Sequence, residues 1–135
     1  MGQVKRVYEA ITELHYRISR LNFISEIESV PDWRDLPFWL KDDMLACVVF
    51  VIENPDADGS AAHAFWMDLK LAAGWNYGRQ YNEEAKETEL LVPYEELPKV
   101  RIAANEEFRA SVKLIYGFTE QLLHMPYSRA MELKK

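Results

Sequence analysis

The stretch from His63 to Pro98, HAFWMDLKLAAGWNYGRQYNEEAKETELLVPYEELP, constrains this chain more than any other. Between two longer helical segments it sets Trp66, Trp75, Tyr77 and Tyr94, the cations Lys70 and Lys86, and the glycines Gly74 and Gly78. Aromatic rings beside cations suit a concave site that stacks a flat, anionic ligand. They suit a buried hinge of the fold nearly as well, because a Trp on an amphipathic helix more often packs a core than meets a ligand.

Hydrophobic periodicity around this stretch predicts helices. Val4, Val7, Ile11, Leu14, Ile18 and Leu21 recur at three- and four-residue intervals, which places them on one face of an amino-terminal helix over about 3–21. His15 lies beside that stripe and is expected to be a partly buried helix histidine. SEIESVPDWRDLP, punctuated by Pro31 and Pro37, reads as a loop that Trp33 and Trp39 pin to the core. Asp35 is placed to cap a second helix over about 36–52. The run MLACVVFVI within it is rich in β-branched residues, so a buried strand competes. The continuous face of Trp39, Leu40, Met44, Cys47, Val48 and Val51 favours the helix.

After the breaker ENPDADGS, Ser60 is expected to cap a third helix over about 61–73, which Gly74 closes in a left-handed conformation. Glu89–Val92 has strand character, with Trp75–Tyr77 as its expected antiparallel partner. A last helix starts near Pro98 with Val100, Ala104, Phe108, Val112 and Ile115 on one face, and Gly117 ends or loosens it. The tail adds another turn or two before Pro126. The fold class expected is mainly α, a single domain over 1–135 with a small antiparallel β element.

A formal charge of -6 without a basic stripe argues against nucleic acid as a partner. No run approaches the ~20 apolar residues that a membrane span needs, and no leader pattern opens the chain, so a cytoplasmic location is expected. Cys47, within the apolar LACVVFV, reads as a small core residue. His15, His63 and His124 are scattered singly, without metal-ligand spacing, and no nucleophile or paired carboxylate stands in a recognisable relation to His63. Neither an enzyme nor a bound metal or cofactor is expected. Glu83, Glu84, Glu87 and Glu89 read as a solvated acidic loop.

HAFW, KLAAGWNYG and LLVPYEELP, in that order and spacing, resemble the ryanodine-receptor repeat (RyR) domain. That module is paired in the cytoplasmic part of intracellular calcium-release channels and also occurs as small free-standing proteins of bacteria and phages. The matching residues are His63 and Trp66, Gly74 and Trp75, Tyr77 and Gly78, Lys86, Leu91 to Tyr94, and Leu97 with Pro98. Asn54-Pro55 and Phe108-Arg109-Ala110 resemble further family features, which extends the RyR-like core to about 36–117. Arg79 stands where the family usually has proline, and Thr88-Glu89 where it has His-Pro.

The resemblance implies a mainly helical binding module in a phage, prophage or bacterial setting, with an adenine-type nucleotide as a proposed class of ligand. The ligand-binding residues expected are His63, Trp66, Lys70, Trp75, Tyr77, Arg79, Lys86 and Tyr94. Trp66 or Trp75 would stack the base, and Lys70, Arg79 or Lys86 would meet phosphate. The alternative is an interaction module whose aromatics bury a partner protein or a second copy of the chain, as a homodimer.

Overall fold

The computed structural model describes residues 2–21 and 30–123. The elements run α1 (Gly2–Leu21), a 3-10 turn (Trp33–Asp35), α2 (Phe38–Glu53), α3 (Gly59–Ala72), β1 (Asn76–Tyr77), β2 (Glu87–Thr88), a second 3-10 turn (Tyr94–Glu96) and α4 (Lys99–Leu123). The fold is mainly α. His124, Pro126 and the start of the loop after α1 lie outside the described residues, as does the side chain of Val4.

The core forms where α1, α2 and α4 meet. Ile11, Val48, Val51 and Val112 are buried there, with Val7, Tyr8, Ile52, Phe108, Ile115 and Tyr116 packed around them. α2 is apolar nearly all round because it has neighbours on all sides, packing against α1, α3 and α4 together. That burial accommodates its β-branched run as helix. The stripe of α1 is wider than the surface that covers it: Ile11 is buried, but Leu14, Ile18 and Leu21 stay roughly half exposed. Trp33, expected to pin the loop to the core, lies against α1 instead, its ring 5.7 Å from that of Tyr16. Trp39 lies on α2 and turns instead toward Trp75, 5.9 Å away.

Two caps differ from those expected. Leu36, forced extended by the proline that follows it (ψ 141), cannot enter the second helix, so α2 begins at Phe38 and Asp35 stays in the preceding turn. Pro37 occupies the cap position and its carbonyl accepts from the Leu40 and Lys41 amides. At α3 the cap is Asp58 rather than Ser60: its Oδ1 accepts from the Ala61 amide at 2.9 Å, and the helix starts at Gly59, ahead of the expected position 61.

Gly74 closes α3 as expected, at φ +92. The Gly74 amide donates to Leu71 and the Trp75 amide to Lys70, the pair of bonds that defines a Schellman turn. α4 passes through Gly117 without a break.

The β element is parallel, not antiparallel: Asn76 pairs with Glu87 and Tyr77 with Thr88. The chain reverses twice rather than once. After β1 it returns past Asn82, which forms an antiparallel bridge with Glu87, and then turns again through Glu83–Lys86. Lys86 takes a left-handed φ of 56 in that second turn, so β2 runs in the direction of β1. Glu89–Val92 leaves the ladder because side chains take its backbone groups. Thr88 Oγ1 accepts from the Leu90 amide, and the Val92 carbonyl accepts from His63 Nε2 at 2.7 Å.

His15 lies between α1 and α4, with Nδ1 3.0 Å from Ser111 Oγ, Nε2 3.2 Å from Ser19 Oγ, and its ring edge-on to Phe108. Burial holds its pKa below the ordinary 6.5. The folded chain resists a proton that the unfolded chain accepts, so this contribution to stability is complete above 6.5 and is lost as pH falls through the lowered value. Urea midpoints at about pH 7.5 and about pH 5.5 should fall less for His15→Gln than for the parent chain. Gly74→Ala has room for its Cβ, whose nearest neighbour would be Lys86 Nζ at 3.9 Å. Its expected cost, read by urea unfolding, is therefore the backbone term alone, about 1–2 kcal/mol.

Candidate functional site

α2, α3, α4 and the segment after α3 enclose a half-open cavity of about 400 Å³. Each helix presents one face to it. From α3 come His63, Trp66 and Lys70, at i, i+3 and i+7. α2 supplies Trp39, Asp43, Cys47 and Phe50, and α4 supplies Arg101, Ala104, Asn105 and Phe108. Trp75, Tyr81, Thr88 and Leu90 close the remaining side.

The middle of the wall is an ion pair inside a tryptophan cluster. Lys70 Nζ lies 2.6 Å from Asp43 Oδ2 and 4.7 Å from the ring centroids of both Trp39 and Trp75, with Trp66 at 5.9 Å. The ammonium is therefore satisfied within the protein, by one carboxylate and the faces of three indoles. Above it on α3, His63 stacks on Trp66 with centroids 5.5 Å apart. A carbonyl only accepts, so the His63 Nε2 bonded to Val92 carries the proton. Cys47 has its thiol pushed up to about 12, first by burial and then by the Asp43 charge. It stays protonated at neutral pH and is no nucleophile.

Of the eight residues expected to bind ligand, four meet at this cavity: His63, Trp66, Lys70 and Trp75. The other four do not line it. Tyr77 is exposed on β1, and Arg79 is exposed in the loop beyond. Lys86 reaches back to cap α3, its Nζ donating to the Ala73 carbonyl at 2.9 Å. Tyr94 packs behind His63, with centroids 6.0 Å apart, and donates to Glu106 Oε1 at 3.0 Å. A Cβ at Gly59 would run into this Tyr94 hydroxyl and Glu106, so a larger residue there would have to displace their hydrogen bond.

Several lining residues escaped the sequence pattern. Tyr81, exposed in an acidic loop, stacks on Trp75 with centroids 5.7 Å apart. Arg101 and Asn105, polar positions of α4, lie outside the apolar face that periodicity picks out. A usable signal did exist, since they stand three residues before Ala104 and Phe108, both already on the predicted apolar face.

Fold and site together define a helical domain built around an aromatic-walled cavity. The family model of the RyR domain matches residues 57–122, from the approach to α3 through nearly all of α4. That match takes in His63, Trp66, Lys70, Trp75 and the α4 face, and begins after the α2 residues that complete the wall. No curated protein matches the chain. Among the described residues, no helix is long and apolar enough to cross a membrane, and no group of three or more His, Cys, Asp and Glu is placed to hold a metal ion.

Removing the Lys70 ammonium would strand Asp43 in the wall. Lys70→Ala is expected to lower the unfolding free energy by about 2–3 kcal/mol, below the ~3–5 of a fully buried pair, because the Asp43 side chain keeps 25% of its exposure. Equilibrium urea unfolding reads the loss, and Lys70→Met combined with Asp43→Asn should recover part of it.

Proposed function

We propose that the chain is a non-enzymatic binding module of RyR-repeat type, and that its cavity takes a flat, nucleotide-like small ligand of the adenine class. The observation that carries this is the cavity itself. A half-open space of about 400 Å³ falls in the range of small-molecule sites, and its walls are aromatic and aliphatic with few polar groups. Trp66 and Phe108, on facing helices, offer the ring surfaces against which a base would lie. His63 positions Trp66 by stacking on it, and Lys70, paired with Asp43 among the indoles, is engaged there instead of meeting phosphate. The bacterial or phage cytoplasmic setting rests on the sequence resemblance alone.

A second reading, self-association, has its own observation. Leu114 and Phe118, one turn apart on α4, are exposed by 76% and 64%. A mass that rises with concentration and returns to the monomer value in Leu114→Glu would favour it.

Adenosine titrated into the protein should quench Trp fluorescence saturably. Trp66→Ala or Phe108→Ala is expected to weaken binding about 10-fold or more, while Tyr77→Ala and Arg79→Ala leave it unchanged. Isothermal titration with adenosine and a set of unrelated flat molecules, free of optical interference, checks the outcome. Equal response to every flat compound, or none to adenosine, would overturn the adenine reading.

A further inference from the structure

Among the described residues three charged side chains line the cavity: Asp43, Lys70 and Arg101. The first two neutralise each other at 2.6 Å. Arg101 is exposed at the rim and Asn105 is half-buried one turn further along α4, and neither side chain makes a hydrogen bond or ion pair among the described residues. Within the wall these two polar side chains differ from Asp43, Lys70, His63 and Thr88, each of which has a hydrogen-bond partner inside the protein. Arg109 and Lys113, further along the same helix, are both engaged, with the Ala57 and Pro55 carbonyls.

From this contrast we infer that Arg101 and Asn105 are the recognition edge of the site, and that the ligand carries a single phosphate. This rests on the proposed adenine-class reading and narrows it. A guanidinium presents paired N–H donors to one phosphate group, and a carboxamide both donates and accepts, which fits the N6/N7 edge of adenine. With Lys70 neutralised by Asp43, no further cation lines the cavity among the described residues to meet a second or third phosphate. The charge of the cavity therefore selects a nucleoside monophosphate, linear or cyclic, over a di- or triphosphate.

Isothermal titration with adenosine, AMP, cyclic AMP, ADP and ATP tests this on the full chain. AMP or cyclic AMP is expected to bind about 10- to 100-fold more tightly than adenosine, with ADP and ATP no tighter than the monophosphate. Arg101→Gln should bring the monophosphate down to the level of adenosine and leave adenosine itself unchanged. Asn105→Ala should weaken adenosine and the monophosphate by the same factor. Arg101 and Asn105 bond to no other side chain among the described residues, so thermal midpoints of both variants should match the parent and separate recognition from folding.

Adenosine that binds with no gain from a phosphate, or a gain that survives Arg101→Gln, overturns the role of Arg101 and leaves the adenine reading standing. ATP binding 10-fold or more above AMP overturns the single-phosphate selection. Unequal or absent effects of Asn105→Ala overturn its role at the base. Failure of every adenine compound overturns the adenine reading and this inference with it.

Discussion

A buried ammonium is the constraint on which the arrangement around the cavity depends. Lys70 is only 6% exposed, and a lone charge at that depth would be expelled or neutralised. Its solution draws on three parts of the chain: the Asp43 carboxylate and Trp39 from α2, Trp66 from its own helix, and Trp75 from just beyond the end of α3. Each has to be in place for the others to be tolerated. Gly74 matters for this reason, since the Schellman turn folds Trp75 back over the last turn of α3, where its amide and its ring both address Lys70.

The second group of restraints works by polar ties across long loops. Arg109 and Lys113 hold carbonyls of the α2–α3 connection, Glu106 holds Tyr94 and Arg109, and His63 holds Val92. These ties fasten α4 to the α2–α3 connection and to the Tyr94 turn, and α3 to the segment just before that turn. They also account for much of the recognisable run from His63 to Pro98. Tyr94 and Lys86 belong to that run because they brace a turn and cap a helix, and only part of it faces the cavity.

How much of this was legible in the sequence varies with the range of the interaction involved. Helices α1 and α4 follow from apolar residues repeating every three or four positions, and Gly74 from the conformational preference of one residue. Both are local. The parallel β pairing was hidden because it depends on the left-handed turn at Lys86, a residue whose type gives no sign of positive φ. Lys70 looked like a phosphate partner because its own, Asp43, lies 27 residues earlier on another helix. Arg101 and Asn105 escaped the pattern because polarity alone does not distinguish a face turned to water from one turned to a cavity.

The loop between the β strands shows what separates a stable wall from an adjustable rim. Arg79 and Tyr81 both lie in this loop, between Tyr77 of β1 and Glu87 of β2. Arg79 stays out of the cavity, while Tyr81 reaches it and lies over Trp75 with 57% of its surface exposed. The ring of Trp75 thus has the Lys70 cation within 4.7 Å and Tyr81 stacked upon it, one contact deep and one at the surface. Changing the inner contact disturbs an ion pair and three indoles together. The outer contact comes from an exposed side chain whose removal leaves no buried group unpaired, so sequence change in this loop can reshape the entrance while the wall behind it stays fixed.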